Sequence, residues 1–389
     1  MHAGRFVFAQ LMQFVPWKRF QRLVAKYAGD RYVKHFACAD QFLCMAFAQL
    51  TYRESLRDIE ACLRSQSSKL YHLGIRGRIS RSTLADANES RDWRIYAELA
   101  QALIDTARPL YAKEPLAVEL DNTVYALDAS LIELCVSIFP WARYATRQAA
   151  VKMHTLLDLR GNIPSFISIT SAKVYETAVL DMLIPEPGAF YVLDRGFTDL
   201  VRLHRLHRAG AFFVLRARAG LNTQRRESHP VDRLSGLRSD QTIVFCNPLS
   251  RKRFPDALRR VRIKDPASGK SLVFLTNEFV LPALTICELY RMRWQIELFF
   301  KWIKQHLRIK AFFGTSENAV KTQIWIAVSV YVLIAIVKKR LHLDASLYEL
   351  LQILSLTLFE TTPLDQLLTH PLPDATTWAT PNQLTLFDF

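Results

Sequence analysis

Two aspartates in this sequence follow apolar runs that have the composition of buried β-strands. Asp128 comes directly after residues 124–127 (VYAL), and Asp194 comes directly after residues 191–193 (YVL). A carboxylate on or at the end of a buried strand is costly unless it is paired, hydrogen-bonded or bound to a metal ion. We therefore interpret both residues as candidate site residues. Asp121, which precedes the longer apolar run, is the weaker candidate for the first acid.

A third acid, Glu297, stands in the helical stretch 290–304 (YRMRWQIELFFKWIK). At about 100° per residue, one sector of about 80° contains Glu297 and four groups able to bind phosphate. These four are Tyr290, Arg293, Lys301 and Lys304. Apolar side chains fall on a separate sector that can pack on a sheet. Taken alone, the pattern is better explained by a solvated face with a Glu297–Lys301 pair, worth about 0.2–0.5 kcal/mol.

The three acids together indicate metal-dependent phosphodiester chemistry. Carboxylates that converge at one sheet edge repel one another, and divalent cations relieve that repulsion. Mg²⁺ suits such a site because it takes hard oxygen ligands and keeps water and substrate phosphates in its shell. Two ions about 3.5–4 Å apart would activate a hydroxyl and stabilise the leaving oxygen. We therefore predict that Asp128, Asp194 and Glu297 are both the catalytic residues and the metal ligands, with the neighbouring bases on the nucleic-acid backbone.

The order of the predicted elements places these acids in an α/β domain. The first 110 residues or so have helical patterns. Strands are then predicted at residues 117–130, 148–159, 162–169, 189–193, 211–215 and 271–276. Helices are predicted at residues 175–184, 198–208 and 283–307. An alternation of this kind fits a mixed sheet between helices.

Within the helical leader, two helices stand in helix-turn-helix order. The first spans residues 55–64, and the second begins near Ser80 or Ser82 with Arg76, Arg78 and Arg81 around its start. The connection is longer than the usual short turn, so a plain helical hairpin is an equal alternative.

Residues 216–264 carry thirteen Arg or Lys against four Asp or Glu. Apolar pieces alternate with turns there, which is typical of a small β insertion. A solvated basic surface is the alternative, but an excess of this size favours a polyanionic partner. We predict that the insertion contacts DNA backbone through Arg225, Arg226, Arg251, Lys252, Arg253, Arg259 and Arg260.

The overall composition bounds the class of protein. Half of the 389 residues are hydrophobic and the net charge is +15, which excludes global disorder and favours a nucleic-acid or anionic-membrane partner. The six cysteines form no CxxC pair, as expected for reduced residues of a cytosolic protein, and we recognise no signal peptide. The apolar run 324–337 is shorter than the roughly 20 residues of a bilayer span, so we predict a buried core helix rather than a membrane segment.

The spacing of Tyr290, Arg293, Glu297 and Lys304 resembles the Tyr-Arg-Glu-Lys signature of bacterial DDE transposases of the insertion sequence four family. The segments LDAS at 127–130 and LDRGF at 193–197, around the first two acids, are similar to that family as well, and so are VKMH at 151–154 and FFVLR at 212–216. The resemblance covers roughly residues 115–340. The first hundred residues also look like the helical leader of many such transposases.

The resemblance implies an RNase H-like mixed-sheet core with a β-rich insertion between the second and third acids. On this basis we predict a helical DNA-binding domain at 1–112, a catalytic domain at 113–345 with the insertion at about 216–270, and a C-terminal helix and tail at 346–389. The implied activity is DNA cleavage at transposon ends that depends on two Mg²⁺ ions, which Mn²⁺ can replace. The released 3′-OH then attacks target DNA.

The resemblance also implies the partners and the location. The partners are double-stranded DNA, as terminal inverted repeats and target, and a second copy of the chain when ends are bound. The location is the bacterial cytoplasm at the nucleoid, with no membrane. Some relatives form a DNA hairpin and hold a flipped base on a tryptophan of the insertion. Because no Trp lies between Trp141 and Trp294, Phe245 or Phe254 would have to substitute.

Two auxiliary residues and two other functions stay open. Lys152 and His154 share one side of a strand and are possible additions to the site, although a structural role is the default for the histidine. A catalytically inactive or domesticated relative would bind DNA without cleaving it, and a related nuclease would cleave without joining. The presence of all three acids favours the active transposase.

Overall fold

The protein is described by a computed structural model that covers residues 4–265, 269–306 and 312–369. Six α-helices form its N-terminal region. They are α1 (Val7–Met12), α2 (Trp17–Lys26), α3 (Cys38–Leu50), α4 (Leu56–Ser65), α5 (Arg81–Ser90) and α6 (Arg94–Tyr111). Ser80 caps α5, because its hydroxyl accepts a hydrogen bond from the Thr83 amide at 3.1 Å.

Strands and helices alternate in the rest of the chain. The first part contains β1 (Val124–Leu134), β2 (Arg143–Ala145), β3 (Gln148–Asp158), β4 (Ile163–Ser171), β5 (Phe190–Leu193), α7 (Leu200–Arg208) and β6 (Phe212–Arg216). The basic segment contains β7 (Thr223–His229), β8 (Leu237–Phe245), α8 (Pro248–Arg253) and β9 (Leu258–Lys264). The last part contains β10 (Ser271–Thr276), α9 (Ala283–Met292), α10 (Trp294–His306), α11 (Glu317–Arg340), α12 (Leu347–Thr357) and α13 (Leu364–Thr369).

The ten described strands form one mixed sheet. Their order is β4, β3, β1, β5, β6, β10, β9, β8, β7, with the short β2 paired to the start of β3. Strands β1, β5 and β6 run parallel, and the other neighbours run antiparallel. The sheet and the helical N-terminal region confirm the predicted α/β class.

The two faces of the sheet carry two apolar cores. The larger core joins side chains of the N-terminal helices, of α9 to α13 and of one sheet face. The smaller core lies on the other face beneath α7 and the segment 179–183. Strand residues therefore alternate between the cores: in β1, Ala126 faces the larger and Leu127 the smaller.

Helix α11 lies inside the larger core. Its length and composition would suit a membrane span, yet 94% of its most apolar window is buried within the protein. It contacts α3, α5 and α6 as well as α10 and α12. The Tyr111 hydroxyl of α6 donates a hydrogen bond to the Ala335 carbonyl at 2.9 Å. The prediction of a buried core helix at 324–337 is confirmed.

Four sequence expectations need correction. Residues 117–121 are not a strand, because β3 ends opposite Tyr125 and β5 begins opposite Val124, which leaves them no neighbour. The helix expected at 175–184 is a 3-10 helix, Glu176–Asp181. The helix expected at 283–307 is interrupted at Arg293. Residues 66–80, with the 3-10 helix Ser67–Leu73, separate α4 from α5, which excludes the short turn of a helix-turn-helix. Residue 307 and residues 370–389 of the predicted tail lie outside the described residues.

Candidate active site

The first two acids lie side by side at one edge of the parallel strands. Leu127 of β1 is in register with Leu193 of β5, so Asp128 and Asp194 are the next residues on neighbouring strands. Asp128 lies within β1, while Asp194 comes just after the end of β5. Both follow apolar residues that anchor their strands in the cores, and this anchoring fixes the position of the two carboxyl groups.

The interruption between α9 and α10 places Tyr290 and Arg293 beside these acids. At this point the Arg293 amide donates to the Tyr290 carbonyl at 3.1 Å, and the Ile296 amide donates to the Arg293 carbonyl at 3.1 Å. The tightened turn sets Tyr290 and Arg293 toward the sheet edge, and both are largely buried. The Tyr290 hydroxyl donates a hydrogen bond to Asp194 Oδ1 at 3.0 Å.

Arg293 connects the other two acids. Its Nη1 donates to Asp128 Oδ2 at 2.9 Å, and its Nη2 donates to Glu297 Oε1 at 2.5 Å. Planar guanidinium groups are suited to such forked contacts with carboxylates. The three acids predicted from the sequence are thus linked through Arg293 and Tyr290 on one helix pair.

An open cleft of about 380 Å³ begins at Asp128 and Glu297. Asp128, Ser130, Glu297, Lys301 and Lys304 are among the residues that line it. Lys304 Nζ donates to the Leu131 carbonyl at 2.7 Å, and Lys301 is exposed. The cleft therefore has carboxylates at one end and ammonium groups along its helical side.

The Asp128 carboxyl is in an unusual electrostatic environment. Burial raises its pKa to about 6, and the negative charges of Glu176 and Asp194 act in the same direction. The Ala129 amide, at 2.7 Å from Oδ1, and Arg293 oppose that rise. Burial also raises the pKa of Tyr290 to about 12, so its hydroxyl keeps its proton and donates a hydrogen bond to Asp194. An added cation would relieve the cost of ionising Asp128.

The donor set suits a divalent cation in chemistry, since three carboxylates supply hard oxygen ligands. Across the ranges that the structure describes, no three His, Cys, Asp or Glu side chains are already arranged around one point to hold an ion. Arg293 lies between Asp128 and Glu297 instead. The Glu297 side chain is 59% exposed, so packing does not prevent it from leaving Arg293 and turning toward the aspartates.

The sequence model of a family described as "Transposase DDE domain" matches residues 119–333, more than half of the chain. The chain belongs to the DDE transposase family. This transposase is therefore an enzyme of the class that the sequence predicted. A second family model, described as a domain of unknown function (DUF4372), matches its residues 3–76.

Curated relatives agree with this assignment. The transposase is 34% identical over 259 residues to the putative transposase y4zB of Sinorhizobium fredii, which covers 65% of this chain and 70% of the relative. It is 30% identical over 230 residues to the probable transposase for insertion sequence element IS5377 of Geobacillus stearothermophilus, with 59% and 58% covered. Among solved structures it is similar to a piggyBac transposase synaptic complex with hairpin DNA, at 11% identity and a TM-score of 0.45, over 95% and 87% of the two chains.

The basic insertion of the transposase presents most of its predicted contacts to solvent, but not all. Arg225, Arg226 and the run 251–253 are exposed. Arg260 is half-buried and donates to Gln241 Oε1 at 2.6 Å. Arg259 is only 6% exposed, and both ends of its guanidinium bind the Asp240 carboxylate, at 2.9 and 2.8 Å.

The prediction that Arg259 contacts DNA is therefore wrong. Strand β9 turns this side chain into the interior, where an unpaired charge would be costly, so it forms a structural ion pair.

The two auxiliary residues lie on the other face of the sheet. Thr155, not His154, is opposite Asp128 on the paired strand, and directly opposed residues share a face. Lys152 Nζ donates to the Val174 carbonyl at 2.9 Å, and His154 Nε2 bonds the Thr170 hydroxyl at 2.9 Å. Burial lowers the pKa of His154 to about 4, so it is neutral. Neither residue contacts the three acids, but Lys152 Nζ lies 4.0 Å from Glu176 Oε1, so an auxiliary role for Lys152 stays a prediction and the histidine has the structural role that was its default.

Two further findings concern Phe245 and Phe254 of the insertion and Glu176 of the loop after β4. Phe245 and Phe254 are both buried and pack against each other, so neither can hold a flipped base in place of the missing tryptophan. Sequence reasoning missed Glu176, whose charge acts on Asp128 and whose Oε2 closely approaches Gly196. No spacing signal could have found Glu176, because its proximity depends on how the loop after β4 folds back.

Proposed function

We propose that this transposase cleaves DNA at transposon ends and joins the released 3′ ends to target DNA, with Asp128, Asp194 and Glu297 as its catalytic carboxylates. One observation carries the proposal: three acids remote in the sequence are linked through Arg293 and Tyr290 at one edge of the sheet. A set of hard carboxylates beside a cationic cleft suits phosphodiester transfer.

The finer family assignment is part of the proposal. The five strands β4, β3, β1, β5 and β6 have the order and directions of an RNase H-like core, with Asp128 on the first strand of that core and Asp194 after the fourth. The insertion, β7 to β9, lies between the second and third acids. The Tyr-Arg-Glu-Lys spacing supports membership of the insertion sequence four family, because Tyr290 and Arg293 bind the acids while Glu297 and Lys304 line the cleft.

The cofactor in this proposal is Mg²⁺, as two ions that Mn²⁺ can replace. The three carboxylates would hold the ions, which supply charge neutralisation and an activated hydroxyl when bound. Arg293 holds Glu297 and Asp128 in position and balances their charge. Tyr290 holds Asp194 through its hydroxyl. Lys301 and Lys304 would bind phosphate along the cleft.

Double-stranded DNA is the partner, as element ends and as target. The exposed cations of the insertion, Arg225, Arg226 and those at 251–253, would bind its backbone, and residues 1–112 would form the DNA-binding N-terminal part of the chain. The catalytic part at 113–345 and the C-terminal part at 346–389 complete the proposed division. A dimer forms when two ends are bound, in the bacterial cytoplasm at the nucleoid.

The test compares Glu297→Gln with the wild type on labelled duplexes that carry the element's ends, with Mg²⁺ present. Glu288→Gln is the matched control, because Glu288 is an exposed glutamate on the preceding helix. We expect cleavage and strand transfer to fall at least ~1,000-fold in Glu297→Gln, since one charge-bearing site ligand is lost, while end binding and Glu288→Gln activity stay unchanged.

Cleavage that survives Glu297→Gln would refute the catalytic assignment. A wild-type protein that binds ends and never cleaves them would identify the inactive relative instead. Cleavage without joining would identify a nuclease.

A further inference from the structure

Two loops of the N-terminal helical region pack against each other. The first, residues 30–37, joins α2 to α3, and the second, residues 74–81, leads into α5. The buried Asp40 ties them together: its Oδ2 accepts from the Ala37 amide and its Oδ1 from the Arg76 amide, both at 2.9 Å. A Cβ on Gly77 would lie 2.3 Å from the His35 carbonyl oxygen, so the two backbones approach as only glycine allows. We call this unit the loop pair.

The charged side chains that the loop pair exposes to solvent are all cations. Five basic side chains on it are exposed: Arg31, Lys34, Arg76, Arg78 and Arg81. In the part of the chain that the structure describes, none of the five belongs to an ion pair. Other cations of the region are paired, as Lys26 is with Glu98 and Arg94 with Asp92.

Within the described ranges, the acids beside these cations accept hydrogen bonds from backbone amides and form no ion pair with the five cations, although Glu60 also pairs with Arg64 at 3.4 Å. Asp30 Oδ1 accepts from the Cys38 amide at 2.7 Å, and Glu60 Oε2 accepts from the Arg81 amide at 3.1 Å. Together with Asp40, these carboxylates fix the loops and leave the side-chain charges uncompensated. Self-repulsion of this kind is a cost in the free protein, and a polyanion would remove it.

Two exposed tyrosines accompany the cations. Tyr32, 87% exposed, has a φ of 63°, a strained backbone conformation for a bulky residue, and the Arg31 guanidinium lies 4.9 Å from its ring centroid. The Tyr71 ring lies 6.0 Å from the Arg76 guanidinium. An open groove of about 780 Å³, lined by Arg5, Trp17 and Arg76 among others, adjoins the pair. A strained backbone at an exposed residue such as Tyr32 is typical of ligand-binding surfaces. The tyrosine rings also hold the Arg31 and Arg76 guanidinium groups at the surface.

We propose that the loop pair is the surface by which the N-terminal region, whose residues 3–76 match a domain family of unknown function, holds the sugar–phosphate backbone of double-stranded DNA. This inference rests on the proposed function. Four of the five cations are arginines, whose planar forks suit phosphate oxygens. They stand on two loops and a helix start rather than along one helix face, so they grip backbone instead of reading bases in a groove.

The test neutralises three unpaired cations in the full-length protein, Lys34→Gln, Arg76→Gln and Arg78→Gln together. The matched control neutralises three paired cations of the same region, Arg19→Gln, Lys26→Gln and Arg94→Gln. Fluorescence anisotropy measures binding to a labelled element-end duplex and to an unrelated duplex over a range of salt. At about 0.9 per phosphate contact, the loop-pair variant should lower the slope of log K against log[salt] by about 2.7 on both duplexes, and the control should leave it unchanged.

Equal slopes in the two variants would overturn the inference, and so would a loss confined to the element-end duplex, which would indicate base reading. A loss of binding to anionic vesicles with duplex binding intact would assign the surface to a membrane and overturn it as well. The proposed function fails separately. Glu297→Gln tests the proposed function through cleavage, whereas the loop-pair variant tests this inference through the salt slope of binding alone.

Discussion

The cost of an ionised Asp128 should be measurable as a pH-dependent loss of stability. Burial, Glu176 and Asp194 raise its pKa to about 6, from 3.8 for an ordinary aspartate. A carboxyl whose pKa is raised in the folded protein stabilises the fold fully only below its unfolded pKa, and that stabilisation disappears as the pH rises through about 6. Raising the pKa from 3.8 to about 6 corresponds to about 3 kcal/mol.

We therefore predict that Asp128→Asn removes this pH dependence. In buffer with EDTA, the free energy of unfolding of the wild type should fall by about 3 kcal/mol relative to the variant between about pH 4 and pH 7. Urea denaturation at a series of pH values measures the difference. Asp121→Asn, which changes an exposed aspartate of the same segment, is the control and should follow the wild type.

Added Mg²⁺ extends the same experiment. At about pH 8, Mg²⁺ should restore stability to the wild type and not to Asp128→Asn, because only the wild type offers an ionised carboxylate that gains from a cation. Parallel pH curves for the wild type and the variant would refute the electrostatic reasoning, since they would mean that Asp128 ionises in the fold at no cost.

Three other perturbations have defined outcomes. Arg293→Gln should lower the cleavage rate about 100-fold with end binding retained, and Arg293→Lys should recover less than about a tenth of the loss in the same assay, because lysine cannot fork between two carboxylates. Arg259→Ala should lower the free energy of unfolding in urea by about 3–5 kcal/mol, because it leaves Asp240 buried and unpaired. The salt slope of DNA binding should stay unchanged, and an unchanged urea midpoint would contradict the buried pair. Gly161→Ala places a Cβ 2.0 Å from a tyrosine ring of α6 at a φ of 77°, so its melting temperature should fall several degrees further than that of Gly220→Ala, which has a φ of 80° and open space.

The sequence was sufficient for the strands that carry the first two acids. Phe190–Leu193 is a short apolar run that ends at Asp194, and a run of that length buried on both faces has few alternatives to a central strand. An acid that ends such a run is conspicuous, which is why Asp194 could be selected from the amino-acid sequence alone. The convergence of the three acids was predicted because two of them follow apolar strands and the third has the spacing of the Tyr-Arg-Glu-Lys signature.

What the sequence could not supply depends on tertiary contacts. Neither Gly nor Pro marks the interruption at Arg293, and the residues on both sides favour helix. We attribute the interruption to the ion pair between Arg293 and Asp128 and to the packing of the two helix segments. The excess of charge in the insertion indicated a polyanion but could not show that Arg259 faces inward onto Asp240. Glu176 approaches the site through a loop whose path no local pattern encodes.

The buried position of α11 has a consequence for retargeting this enzyme. Helix α11 contacts α3, α5 and α6 and lies in the same apolar core as one face of the sheet, so the N-terminal helices and the strands share one interior. Grafting a foreign sequence-reading module in place of the leader would strip the helix and leave a long apolar surface in water. Replacing residues 1–112 with a foreign domain should therefore yield insoluble chimaeras.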